Sequence, residues 1–307
     1  MILCCGEALI DFLPREGKDG ALVYHPVNGG SVYNTAIALG RLDVPVALFA
    51  GMSSDFFGDS LREGLSASHV SLKYLRTKPQ HTTLAFVKLD GGHARYSFID
   101  DASAGRNLVK ADLPKLPKAV AALHFGSISL IPEPEGGTYE ALLKREARSR
   151  VISIDPNIRA SLIKDRKAHL ARLARMMALA DIVKISDEDV AWMTGKNDLA
   201  TAARKWLKSG AKVVAITRGG AGVEVFASGR QVSLAAPKVT VADTVGAGDT
   251  FTAGFLCQLQ RNSLLSKAAV AALDEAQLAA AAAFAMKCAA VTVSRPGADP
   301  PWSQEVA

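Results

Sequence analysis

Four apolar runs after residue 120, at residues 121–125, 151–154, 182–185 and 213–217, are separated by helix-like stretches. Short runs buried on both faces pack as parallel neighbours, because a parallel pair needs a connection long enough to hold a helix. The same alternation opens the chain. Residues 1–12 begin as a near-continuous apolar run, residues 31–42 place Val32, Ala36 and Leu39 at helical spacing, and residues 46–50 read as the next strand. An α/β fold with a doubly wound, mostly parallel sheet between helices is predicted. Residues 250–260 and 273–290 are Ala-rich and helical, with no strand-like run between them.

One piece breaks this rhythm. Residues 84–89 and 94–98 flank Asp90-Gly91-Gly92-His93, which signals a hairpin rather than a crossover. Residues 15–23, with Gly17 and Gly20, offer a further extended segment. Insertions at approximately 13–27 and 80–100 are therefore expected to form a small β-sheet lid on one domain spanning 1–307.

Composition narrows the function classes. With 49% apolar and 21% charged residues, the chain is neither disordered, collagen-like nor a disulfide miniprotein. Its 36 Lys and Arg against 30 Asp and Glu give a net charge of +6, without a run of five or six basic residues, so no nucleic-acid partner is expected. Cys4, Cys5, Cys257 and Cys288 lack C-x-x-C spacing and read as reduced, buried thiols. Glu7 and Asp11 interrupt the apolar start, and no window approaches the ~20 apolar residues of a spanning helix, so the expected location is cytoplasmic, without a membrane partner. The strings of a Walker A loop, a dinucleotide G-x-G-x-x-G, H-E-x-x-H and G-x-S-x-G are all missing.

Asp243-Thr244-Val245-Gly246-Ala247-Gly248-Asp249 is the most informative segment. Gly246, Ala247 and Gly248 have little or no side chain and a helix-like run follows, so their N–H groups can converge on an anion at a helix start. Asp249, in the same turn, can take a proton from a hydroxyl beside that anion. Read alone, Gly-Ala-Gly-Asp is first of all a Gly-rich turn with Asp249 as a helix-start residue. A second segment, Asn28-Gly29-Gly30-Ser31 with Asn34 one turn into a helix, lets backbone approach a ligand and offers donor and acceptor to a hydroxyl.

These two strings, at this separation, resemble the signatures of the ribokinase/PfkB family of carbohydrate kinases, and the resemblance covers nearly the whole chain. It implies a ribokinase-like fold and ATP-dependent transfer of the γ-phosphoryl group to a primary sugar hydroxyl. Asp249 would be the base and Gly246, Ala247 and Gly248 the anion-binding turn. Asp11, placed at the end of the first strand, would hold the sugar with Gly29, Gly30, Asn34, Arg95 and Arg159. Nucleotide contacts would come from Asn157, Lys184, Ser186, Thr217, Gly219, Gly222 and Cys288, the last on a helix expected to lead into a strand beside adenine. Where the family has Asn-x-x-Glu, this chain has Ser186 and Asp189, so Asp189 would meet Mg2+ through water. Asp243 and Val245, with Ser294, Arg295 and Gly297, would form a monovalent cation site for K+. Relatives suggest a homodimer through the lid.

The strings Gly6 to Phe12 and Asp155 to Arg159 look like those of fructokinase and 2-keto-3-deoxygluconate kinase members. Fructose is favoured, because the lid string Arg95 to Asp101 lacks the extra Arg of acid-sugar relatives, and Asp100 and Asp101 would repel a carboxylate. The alternatives are a 2-keto-3-deoxygluconate kinase and a non-catalytic sugar-binding regulator. The helix N-terminus is expected to lower the Asp249 pKa, which a loose phosphoryl transition state would tolerate.

Overall fold

The computed structural model describes residues 1–90 and 93–307, and the backbone alone for 89–90 and 93–95. The first apolar run turns out to be two strands. β1 (Ile2–Cys5) is wholly buried; after Gly6 and Glu7 the chain turns away as β2 (Leu9–Glu16) and enters a different sheet. β3 (Leu22–Gly29) returns antiparallel to β2, with Leu9 opposite Gly29 and Glu16 opposite Leu22. α1 (Ser31–Arg41) starts two residues later behind Gly30, whose φ of 105° suits only glycine. Then come β4 (Val46–Phe49), β5 (Gly51–Ser53), α2 (Phe56–Ala67), β6 (Val70–Ser71) and β7 (Arg76–Lys78).

β8 (Thr83–Asp90) and β9 (His93–Ile99) form the predicted antiparallel hairpin, although Gly91 and Gly92 at its tip lie outside the described residues. The alternation then resumes. β10 (Ala122–Gly126), α3 (Glu135–Glu146), β11 (Val151–Asp155), α4 (Arg166–Met177), β12 (Ile182–Ser186), α5 (Asp187–Thr194), α6 (Leu199–Ser209) and β13 (Val213–Thr217) follow in order. The hairpin β14 (Val223–Ala227) and β15 (Arg230–Leu234) precedes α7 (Ala247–Arg261), α8 (Lys267–Ala272) and α9 (Glu275–Val293).

The main sheet has nine strands in the order β15-β14-β13-β12-β11-β10-β1-β4-β6. It is parallel from β13 to β6, with β14 and β15 added antiparallel at one edge. Helices cover both faces, and the period of two along β1 shows how. Ile2 and Cys4 join the layer that holds α1, α7 and α9, whereas Leu3 and Cys5 join the layer of α3, α4 and α6. The lid sheet, β3-β2-β8-β9, draws on 9–29 and 83–99, so its first insertion starts earlier than the sequence reading placed it.

α9 corrects two expectations. It runs unbroken to Val293, so no strand follows Cys288; Thr292 stays helical, with its hydroxyl on Thr250 Oγ1 at 3.0 Å. It has 19 residues, and an 18-residue window of it has a mean hydropathy of 1.5, long and apolar enough to cross a membrane by length and composition, contrary to the expectation of no such window. Here one of its faces, with Leu278, Ala281, Ala285 and Cys288, is packed into the core shared with α7.

Candidate active site

The lid closes over the ends of the central parallel strands, where loops meet above the sheet. The cleft between them has a volume of about 1170 Å³. Lid residues Asp11, Tyr96 and Phe98 line one end, the start of α1 and the 243–249 turn the middle, and the loops after β12 and β13 the other end. This is the strand edge at which open α/β sheets bind ligands.

Gly246 adopts φ 77°, and a Cβ there would approach Ala298 Cβ to 2.7 Å, so the turn requires glycine. α7 begins at Ala247, earlier than the sequence pattern placed it, which puts Ala247, Gly248 and Asp249 in its first turn. The Ala247 amide donates back to Thr244 O at 3.3 Å. The amides of Gly248 and Asp249 have no partner among the described residues, as the first turn of a helix leaves them. A Cβ on Gly248 would sit 2.8 Å from Lys184 Nζ, so that ammonium lies directly against the turn. Lys184 is itself buried and paired to Asp155 Oδ2 at 2.8 Å, with Asp155 only 1% exposed. Burial disfavours its charge, but Asp155, Asp249 and Asp189 together hold its pKa above the usual lysine value.

Asp249 is buried, and both of its carboxylate oxygens are engaged. Ser31 Oγ donates to Oδ1 at 2.6 Å and Asn34 Nδ2 to Oδ2 at 3.0 Å. Burial raises its pKa and outweighs the lowering by Ser31, Asn34 and Lys184. The expectation of a lowered pKa at the helix start is thus overturned by desolvation, which makes Asp249 a stronger base.

At the lid end, Asp11 lies within β2 of the lid and not at the end of the first strand. A Cβ at Gly29 would collide with the Asp11 carboxylate, so Gly29 makes room for Asp11 rather than lining the cleft, whereas Gly30 does line it. Burial pushes Asp11 up to about 6, with Arg159 pulling down and Asp249 and Glu7 pushing up. Arg159 donates to Asn157 Oδ1 at 2.6 Å and lies 5.9 Å from the Tyr96 ring centre, linking the loop after β11 to the lid. Arg95, in β9, pairs by backbone with Lys88 of β8; its side chain lies outside the described residues. Asp100 and Asp101 do not face the cleft. Asp100 accepts from Thr83 and Ser103, and Arg106 pairs with both acids, so their predicted repulsion of an acidic substrate does not arise.

At the other end, Thr217, Gly219 and Gly222 line the cleft, in the hairpin that joins β13 to β14. Gly222 has φ 98°, and a side chain there would collide with Leu234 O. Ser186 both lines the cleft and caps α5, accepting from Asp189 N at 3.1 Å. Asp189 accepts from Ile158 N at 3.2 Å, and burial, followed by Asp155, raises its pKa to about 6. Asp243 and Val245 also line the cleft, with Asp243 accepting from the amides of Val245 at 3.0 Å and Gly297 at 2.9 Å. Cys288 is not there. It is fully buried beside Gly254 of α7, while Met286, Ala289, Ala290 and Val293 turn toward the cleft from the other side of α9. An Ala-rich helix shows little apolar contrast between its faces, so nothing in the residue pattern orients Cys288.

Sequence reasoning missed the partners of the base. Ser31 is 218 positions from Asp249, a contact no local pattern reports. Glu7 did leave a signal, a carboxylate inside an apolar run; it turns out buried and accepts from Ser31 N at 2.9 Å and Val32 N at 3.4 Å. Asp155 was visible only as the first residue of its loop. Among the described residues no three His, Cys, Asp or Glu groups are placed to hold a metal.

Known proteins share this architecture and sequence. The profile of the pfkB family carbohydrate kinases matches residues 1–305. A fructokinase of Rhizobium leguminosarum bv. trifolii is 53% identical over 278 residues, covering 91% of this chain and 85% of that protein. The crystal structure of a fructokinase with bound ATP from Xylella fastidiosa matches with a TM-score of 0.90 at 27% identity, over 99% of this chain and 96% of the other. A Vibrio cholerae fructokinase double mutant in fructose, ADP and potassium ion bound form matches with a TM-score of 0.85 at 26% identity, over 97% and 93%. With a ribokinase-like fold and a family match over essentially its full length, the chain belongs to the pfkB family of carbohydrate kinases.

Proposed function

We propose that this kinase transfers the γ-phosphoryl group of ATP to a primary hydroxyl of fructose. The observation that carries the reading is the buried Asp249 carboxylate in the first turn of α7, beside amides without a partner among the described residues and in a turn whose Gly248 lies against Lys184. Fructose as acceptor is supported by the 53% identical Rhizobium fructokinase and by the fructose-bound Vibrio structure.

Asp11, Asn34 and the Gly30 backbone hold the sugar with one hydroxyl at Asp249, and Arg159 fixes the lid end with Tyr96. Asp249 takes the hydroxyl proton as the bond to phosphorus forms and the bond to the leaving ADP oxygen breaks. The Gly248 and Asp249 amides and the Lys184 ammonium offset charge on the transferred group. The amides of Gly246 and Ala247 shape that turn. Asn157, Ser186, Thr217, Gly219 and Gly222 are the nucleotide contacts. Mg2+ neutralises ATP phosphate charge when bound, and Asp189 is the carboxylate that would hold it, through water. Asp243, Val245 and the 294–297 turn are the candidate K+ site; both Asp243 oxygens are already engaged, which leaves backbone carbonyls as the donors.

The chain acts as one domain. The exposed Leu22, Val23 and Ile99 of the lid support a homodimer formed there, and four free buried cysteines support a cytoplasmic location. The test is ATP consumption with magnesium across fructose, 2-keto-3-deoxygluconate, ribose, tagatose and adenosine. A fructose preference is expected. Preference for another acceptor would replace the substrate, and inactivity on all five would shift the reading to a sugar-binding regulator.

A further inference from the structure

Glu7 and Ser31 lie outside every role assigned above, yet both are buried, and Ser31 bonds the base directly. α1 has no side-chain cap of its own, since its N-cap is Gly30. Glu7, arriving from the loop between β1 and β2, takes that place and accepts the amides of Ser31 and Val32. A carboxylate at a helix start is favoured by the dipole and satisfies two otherwise unpaired donors. The first residue of α1 is thereby fixed, and its hydroxyl reaches Asp249 Oδ1 at 2.6 Å, a short charge-assisted bond. Thr35, one turn on, adds a contact at 3.4 Å from its hydroxyl to the Asp249 carbonyl and bonds back to Ser31 O at 3.1 Å.

We propose that Ser31, held in place by Glu7, is a positioning residue that fixes the Asp249 carboxylate for proton transfer, in an arrangement Asn34 completes at the other oxygen. This rests on the reading of Asp249 as the base. A carboxylate bonded at only one oxygen can rotate about its Cβ–Cγ bond, and the hydroxyl stops that rotation while stabilising the ionised form. The groups that share its electrostatic environment are Lys184 of β12, Asp155 of β11, Asp11 of β2 and Glu7 itself. Removing Ser31 Oγ leaves all of them in place, so its effect can be isolated. The sign is fixed: the lost bond favoured the charged carboxylate, so the Asp249 pKa rises and activity is lost at a higher pH on acidification.

The experiment measures kcat and KM against pH for Ser31→Ala and Ser31→Thr with fructose and ATP, beside Asp249→Asn. Ser31→Ala is expected to lower kcat roughly tenfold, keep both KM values within about twofold and move the acidic limb of kcat to higher pH. Ser31→Thr keeps the hydroxyl and should keep the limb in its wild-type place. Glu7→Ala combined with Ser31→Ala should lose little more than either alone, because the two act through one contact. Wild-type kcat and an unmoved limb in Ser31→Ala, or full multiplication of the two losses, would overturn the proposal. If Asp249→Asn itself turns over normally, the failure lies in the reading of the base instead.

Discussion

The two ends of the cleft are built differently. At the sugar end and around Asp249, the polar groups are buried and bonded in two adjacent sets: Ser31 and Asn34 donate to Asp249, and Lys184, whose ammonium lies against the Gly248 turn, donates to Asp155. At the nucleotide end the cleft is made of loops, with Gly219 and Gly222 at positive φ and Val241 60% exposed. The first design fixes the reacting atoms, as in-line transfer demands. The second offers backbone and apolar surface to a ligand that covers it.

That contrast can be broken first at Lys184. Lys184→Met leaves Asp155 buried and unpaired, so a stability loss of about 3–5 kcal/mol is expected in chemical denaturation, together with a fall in kcat. Retained stability would show that Asp155 is not dependent on its partner. Next, Asp11→Asn should raise the sugar KM roughly 10- to 100-fold and leave the ATP KM unchanged, the loss of one charged hydrogen-bond acceptor; equal effects on both constants would blur the two ends. Asp11 also sets a pH signature. Its carboxyl titrates at about 6, so it is charged above that pH, and kcat/KM for sugar should fall as pH drops through 6. The Asp11→Asn profile should lack that step.

Smaller effects sharpen the nucleotide end. Gly222→Ala puts a side chain at φ 98° against Leu234 O, and about 1–3 kcal/mol of stability should be lost with a several-fold rise in ATP KM. An unchanged ATP KM would separate that hairpin from the nucleotide. Cys288→Ala should cost about 1 kcal/mol by thermal melting and leave ATP KM within about twofold, since Cys288 faces α7.

The sequence made the anion turn readable because Gly246 and Gly248 meet local demands, a positive φ and a close neighbour, that a local string can express. The strands from β10 to β13 were readable for the same reason, since apolar runs on both faces have one good use. The split of β1 from β2 was not, because Gly6 and Glu7 interrupt an apolar run too briefly to signal a change of sheet. Nor was the raised pKa of Asp249: the dipole is local, but the burial that overrides it comes with the packing of α7 against elements such as α1, far away in sequence. Cys288 failed for want of contrast along an Ala-rich helix.

The central claim is that Asp249 performs proton transfer in a preorganised pocket while the nucleotide binds elsewhere in the cleft. Single-turnover phosphorylation of fructose by Asp249→Asn, with ATP affinity measured by titration calorimetry on the same sample, tests it most directly. A rate about 10²- to 10⁴-fold below wild type is expected, with ATP affinity within about threefold. Phosphoryl transfer near the wild-type rate would contradict it.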